Sequence, residues 1–116
     1  MKRFALAILL AAGAFAAPAF AHTSVTAMSI AENATLATAP SEFTVTFSGP
    51  TGLANVVLTD ASGQTISLDY TPPRQMANSY TIPLPALAPG AYTLSWRTMA
   101  RDGHAMPGQV RFTITG

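Results

Sequence analysis

The sequence predicts an all-β protein, a two-layer antiparallel sandwich of about seven strands in an immunoglobulin-like arrangement. Three observations carry that expectation. Apolar and polar residues alternate with period two through several short runs. Turn-forming residues separate those runs at roughly the 8–12-residue spacing of a sandwich. No stretch outside the first 21 residues carries a sustained 3.6-residue period with helix caps. A small closed barrel is the main competing architecture.

Taken in order, Ser24 to Ile30 reads as a loose first strand, and Phe43-Thr44-Val45-Thr46-Phe47 as a clear one with three apolar residues on one face. Val56-Val57-Leu58-Thr59, Thr65 to Leu68 and a short Tyr80 to Ile82 follow. Tyr92-Thr93-Leu94-Ser95-Trp96 and Val110-Arg111-Phe112-Thr113-Ile114 close the set with strict alternation. Ala39-Pro40, Ser48-Gly49-Pro50, Asp60-Ala61-Ser62-Gly63 and Thr71-Pro72-Pro73 punctuate them. The Pro-rich stretch from Pro83 to Pro89 is expected to cross one end of the sandwich as a rigid connection. Trp96, the sole tryptophan, is expected in the core.

The first 21 residues have a different character. Lys2 and Arg3 precede an apolar, Ala-rich run from Phe4 to Ala17, and Pro18-Ala19-Phe20-Ala21 ends it with a small-x-small site. That is the layout of a cleaved secretory signal peptide over residues 1–21, followed by one domain over 22–116. The apolar run falls short of the roughly 20 residues that a membrane span requires. Removing 21 of 116 residues leaves 95, enough for a single modest domain. Four arginines (Arg74, Arg97, Arg101, Arg111) then face five carboxylates (Glu32, Glu42, Asp60, Asp69, Asp102), a net charge of −1. No basic stripe remains to neutralise phosphates, which argues against nucleic acid as a partner. With no cysteine, there is neither a disulfide framework nor a thiolate metal site.

Cleavage after Ala21 would turn His22 into the first residue, with a free α-amine beside its imidazole. Such a residue can chelate a metal, because an amine of ordinary pKa about 7.7–8.0 is easily freed of its proton by a bound ion. Near the other end, Asp102-Gly103-His104 offers a carboxylate and the only other histidine of the mature chain. At i and i+2 the two side chains share a side if the segment is extended. Asp-Gly is equally a hairpin turn signal, and ten residues separate Met99 from Val110, more than a tight hairpin needs. Both readings suit a loop that presents ligands. Together His22, Asp102 and His104 supply three nitrogens and an oxygen. A structural zinc site would call for four closed ligands, and calcium for more carboxylates, so the set points to Cu(II).

At this point the chain resembles the CopC-type periplasmic copper-binding proteins. The resemblance rests on His22, Ala34-Thr35-Leu36 with Ala39-Pro40, Phe47-Ser48-Gly49-Pro50, Gly90-Ala91-Tyr92-Thr93-Leu94-Ser95-Trp96-Arg97, Asp102-Gly103-His104 and the Gly108-to-Phe112 strand. It implies a Greek-key sandwich that binds Cu(II) through the amine and imidazole of His22, Asp102 and His104. It also implies a periplasmic location, a role in copper tolerance or delivery, and hand-off to an inner-membrane copper transporter. Two positions depart from the family pattern. Gly49 stands where an acidic residue is common and Ala100 where a serine is common, so copper binding somewhat weaker than in relatives is expected. The four methionines after the leader (Met28, Met76, Met99, Met106) form no Met-x-x-Met cluster of the kind that holds Cu(I). Arg97 and Arg101 flank the Asp102 segment and read as solvated charges.

Function follows as a non-enzymatic copper carrier or buffer, monomeric by default. No nucleophile with a base, no acid–base carboxylate pair and no phosphate loop is legible. Two alternatives stand beside it: a copper-dependent oxidative enzyme of the monooxygenase kind using His22 and His104 as a histidine brace, disfavoured by Asp102 in the copper plane, and a metal-free interaction module, which the fold alone would permit.

Overall fold

The computed structural model describes residues 24–116, and the proposed leader and His22 lie outside them. Among the described residues there are seven strands: β1 (Val25–Met28), β2 (Ala34–Leu36), β3 (Glu42–Asp60), β4 (Thr65–Ile66), β5 (Ala77–Pro83), β6 (Gly90–Met99) and β7 (Ala105–Ile114). The number matches the expectation, although the set differs. Phe43–Phe47 and Val56–Thr59 are the two halves of the single strand β3, whereas the three residues of β2 carry no alternation that would reveal them.

The long strand β3 organises the molecule. Its first half pairs with β1 and β5 in one sheet, and its second half pairs with β6 and β4 in the other, which β7 and β2 extend. All pairs are antiparallel except β2 with β7, which is parallel, so the sandwich is mixed rather than wholly antiparallel. The two halves face each other across the core: the ring of Phe43 lies 5.6 Å from that of Trp96, and Trp96 pairs with Val56, thirteen residues further along β3. The chain therefore folds back on itself near Ser48-Gly49-Pro50: the register with β5 breaks between Thr46 and Thr51, and the ladder with β1 ends at Phe47 after a bulge between Val25 and Ala27. A proline and a glycine at this corner suit a segment that leaves one ladder before joining the next.

Alternation becomes burial as predicted. Phe43, Val45, Phe47, Tyr92, Leu94, Trp96, Val110, Phe112 and Ile114 all face the core. The connection from Leu84 to Pro89 covers the end where Glu42 meets Pro83 and Gly90 meets Ile114, and it tucks Leu84 and Leu87 inward. The Tyr92 hydroxyl donates to the Ala88 carbonyl at 2.7 Å and holds that connection down. The opposite end gathers the β3 corner, the start of β1, the start of β5 and the β6–β7 hairpin. At that end the buried Tyr80 hydroxyl donates to the Thr51 carbonyl and accepts the Ala77 N–H at 3.1 Å. Four segments distant in sequence meet there.

Candidate metal centre

The β6–β7 hairpin is tighter than its sequence implies. β7 begins at Ala105 rather than at Val110, so the connection spans only residues 100–104. The Ala100 N–H donates to the His104 carbonyl at 2.8 Å and the Gly103 N–H to the Ala100 carbonyl at 2.9 Å. Gly103 has φ +93°, so Arg101, Asp102 and Gly103 form a three-residue loop whose last position needs a left-handed backbone. Met106-Pro107-Gly108 read as loop residues, but β7 tolerates them. Rungs alternate outward from the bonded pair Ala100–His104, which makes Arg97–Pro107 a non-hydrogen-bonded pair, and the missing proline N–H lies on the open edge of β7. β2 covers β7 only from Phe112 to Ile114.

Asp102 and His104 come together, as expected, but through a turn and not along an extended segment. One carboxylate oxygen of Asp102 accepts the His104 backbone N–H at 3.0 Å, and the other lies 2.9 Å from His104 Nδ1. These two donors hold the Asp102 carboxyl below its ordinary pKa, the backbone N–H first and the imidazole second. An ionised carboxylate only accepts, so Nδ1 is the donor in this bond. The side chains are 65% and 80% exposed respectively, so an incoming ion meets both without opening the fold. Arg97 and Arg101 are exposed, and among the described residues neither bonds to Asp102.

The pair fits a tetragonal metal on its geometry. With bonds of about 2.0–2.1 Å, two donors at right angles on one ion lie roughly 2.9 Å apart, so an ion replacing the shared proton would find Oδ2 and Nδ1 already at the spacing of a cis edge. No group of three His, Asp or Glu side chains converges among the described residues, so this edge supplies two donors. The position of chain entry bears on the remainder. Ser24, the first described residue, is bonded to Ser48 at the β3 corner in both directions, its N–H donating to Ser48 Oγ at 3.0 Å and its carbonyl accepting the Ser48 N–H at 2.8 Å. From that corner, Thr51 Oγ1 donates to the Met99 carbonyl at 3.2 Å and Gly52 pairs with Met99, the residue next to the hairpin loop. Neither Ser48 nor Thr51 is legible in the sequence as relevant to the site. Their signal is three-dimensional: both are defined by partners dozens of residues away.

Of the two departures from the family pattern, Gly49 sits in open space, since a Cβ there would meet nothing within 4 Å. Ala100 contributes its backbone to the hairpin and no side-chain donor.

Comparison with known proteins agrees with this architecture. The family model described as CopC domain matches residues 25–115. Protein YobA of Escherichia coli strain K12 is 31% identical over 116 residues, covering 97% of this chain and 93% of the relative, and YobA of Shigella flexneri gives the same figures. Among solved structures, CopC from Methylosinus trichosporium OB3b superposes with a TM-score of 0.67 at 22% identity, covering 81% of this chain and 94% of that one. PcoC, a methionine-rich copper resistance protein from Escherichia coli, superposes with a TM-score of 0.61 at 24% identity over 82% of this chain and all of its own. With a family model spanning nearly the whole described sandwich and a full-length relative above 30% identity, the chain belongs to the CopC domain family.

Proposed function

We propose that this chain is a periplasmic Cu(II) carrier or buffer, acting in copper tolerance or delivery, that holds the metal with the amine and imidazole of His22, the Asp102 carboxylate and the His104 imidazole. The observation that carries this reading is the Asp102–His104 edge, 2.9 Å wide and solvent-facing, at the end of the sandwich where the chain enters. His22 stands two positions before Ser24, a span of at most about 7 Å. Its two nitrogens would complete a tetragonal set of three nitrogens and one oxygen, the geometry that Cu(II) favours. PcoC, a copper resistance protein of the same fold, supports the same metal.

The proposed role is binding, not catalysis. Four protein donors in one plane would leave no in-plane position for a reacting oxygen species, and Asp102 would occupy the place an oxygen-activating enzyme keeps open. The signal peptide over residues 1–21 creates the ligand amine on cleavage and delivers the chain to the periplasm, where an inner-membrane copper transporter is the proposed recipient. The protein acts as a monomer. Copper capture expels the Nδ1 proton of His104 and requires the neutral amine of His22, so Cu(II) affinity falls as pH falls.

The test is Cu(II) titration of the protein beginning at His22, followed by electron paramagnetic resonance, beside a form with one extra N-terminal alanine. Tight one-to-one binding with a nitrogen-rich tetragonal signal, weakened by the added alanine, is expected. Weak binding indifferent to the extension would overturn the ligand set.

A further inference from the structure

Charge in the described residues divides between the two ends of the sandwich. Arg97 pairs with Pro107 in the β6–β7 ladder, and Arg101 stands in the hairpin loop. Arg74 precedes Gln75, whose carbonyl lies 3.3 Å from the Tyr80 hydroxyl at that same end. All three arginines are exposed, and none belongs to either ion pair of the described residues, Asp102–His104 and Glu32–Arg111. Asp102, the carboxylate of the hairpin end, is engaged through both oxygens with His104. Glu42, Asp60 and Asp69 lie at the opposite end: Glu42 pairs with Pro83, Asp60 with Tyr92, and Asp69 lines a cleft with Pro83, Leu84 and Pro85. Between Gly52, the partner of Met99, and Asp60 runs about 26 Å of strand. That exceeds the Debye length of about 8 Å at physiological salt, so the far carboxylates do not cancel the arginines. Val25, Met99 and Met106, the three exposed large apolar side chains of the described residues, also lie at the arginine end.

We propose that the hairpin end is a docking face for an acidic protein segment, one that presents carboxylates around a small apolar contact and belongs to the recipient of the copper. Protein interfaces are enriched in methionine and arginine and depleted of lysine and carboxylates, which is the composition of this end. A guanidinium grips a carboxylate through two parallel N–H···O bonds, so arginines on three separate segments orient an acidic partner as well as attract it. Methionine supplies an adaptable apolar surface between them. A partner held there faces the Asp102–His104 edge. An anionic bilayer is the competing occupant of a cationic, apolar tip. Binding in a membrane surface draws on Trp, Phe or Leu, however, and none of these is among the exposed large apolar side chains. The inference rests on the function proposed above only in calling the partner a copper recipient, since the attraction needs no metal.

The experiment titrates the metal-free protein beginning at His22 with a short peptide of glutamates interspersed with leucine, and with its lysine counterpart. Backbone amide shifts locate the contact by nuclear magnetic resonance, at about 10 mM and about 150 mM salt, where the Debye length falls from roughly 30 to 8 Å. The glutamate peptide is expected to bind, more weakly at the higher salt, with shifts confined to Met99–Met106 and the β3 corner, and the lysine peptide is not. Three exposed ion pairs of about 0.5 kcal/mol each correspond to roughly a tenfold loss of affinity in the triple variant Arg74→Gln, Arg97→Gln, Arg101→Gln. Glu42→Gln, at the far end, should match the parent at the higher salt. No binding of the glutamate peptide, equal binding of both peptides, shifts spread over the whole sandwich, or a triple variant that binds like the parent would each overturn the proposal. So would sedimentation of the parent with phosphatidylglycerol–phosphatidylethanolamine vesicles in place of peptide binding, or head-to-tail association with the acidic end of a second copy that excludes the peptide. Failure of the parent in a separate Cu(II) titration would instead count against the proposed ligand set and leave the peptide result standing.

Discussion

Gly108 lies under the indole of Trp96, and replacing it by alanine should destabilise the fold through a contact that can be worked out atom by atom. A Cβ at 108 would sit 2.4 Å from Trp96 Nε1, 2.5 Å from Cε2 and 2.8 Å from Cζ2. Ordinary contact lies at about 3.5–4.0 Å, so the ring must retreat by roughly 1 Å. It has nowhere to go. Trp96 is 4% exposed and packs on the fully buried Phe43, so the displacement passes into the centre of the core. Overpacking of this kind costs about 1–3 kcal/mol, and a clash shared by three ring atoms belongs in the upper half of that range. Glycine to alanine also restricts the unfolded chain, which offsets about 0.4–1 kcal/mol. The net expectation is a loss of about 2 kcal/mol, or roughly 8–16 °C in Tm for a domain of this size. The assay is urea unfolding followed by far-ultraviolet circular dichroism, with Gly49→Ala as the control, since Gly49 has no neighbour within 4 Å of its would-be Cβ and no positive φ. The control should unfold within about 1 kcal/mol of the parent. A Gly108→Ala midpoint at or above that of the parent, at unchanged m-value, would refute the claim that the Trp96–Gly108 approach is close-packed.

Two further predictions concern the hairpin and the far sheet edge. Gly103→Ala places a Cβ on a backbone at φ +93°, which should cost about 1–2 kcal/mol and separate Asp102 from His104, so Cu(II) affinity should fall along with stability; Cu(II) titration of the refolded variant checks this. Glu32 accepts the Arg111 backbone N–H at 2.7 Å and its Nε at 2.9 Å, bonds that hold the carboxyl below its ordinary pKa, the side-chain bond to Arg111 contributing most. A depressed folded pKa means stability that is present above the unfolded value and lost as pH falls through the folded one. Acid unfolding below about pH 4.5 should therefore be less steep in Glu32→Gln, while the two proteins respond alike between pH 6 and 8, as read by thermal melts across that series.

The strands that alternate strictly were legible because period two translates directly into one buried face; Phe43, Val45, Tyr92, Leu94, Val110 and Phe112 are the result. β2 was not legible, because three residues cannot display a period and its partner β7 lies nearly eighty positions away. Its position follows from Glu32 clasping Arg111 and from Asn33, whose N–H donates to the Arg111 carbonyl at 2.7 Å. The hairpin loop is shorter than the sequence implies for a local reason: proline and glycine signal turns only when their missing N–H or missing side chain matters to a neighbour, and at Pro107 and Gly108 the neighbour is an open edge and an indole ring. At the site, Asp102 and His104 were legible from adjacency in sequence. Ser48, Thr51 and Tyr80, which bring the corner and the chain entry to that same end, were not, because each bonds to backbone groups that only the folded chain brings near.

The corner in β3 has a consequence for how strongly two ends of one chain can share an ion. His22 and Asp102 are separated by 80 positions, and closing a flexible loop of that length costs about 4 kcal/mol in chain entropy. In the folded protein the Ser24–Ser48 bonds and the Thr51–Met99 bond have already brought the entry of the chain to the hairpin, so an ion that bridges the two does not meet that cost. The difference corresponds to roughly a thousandfold in effective concentration of one donor pair at the other. On the proposed ligand set, the sandwich itself contributes no donor atom, and its contribution to affinity is that proximity.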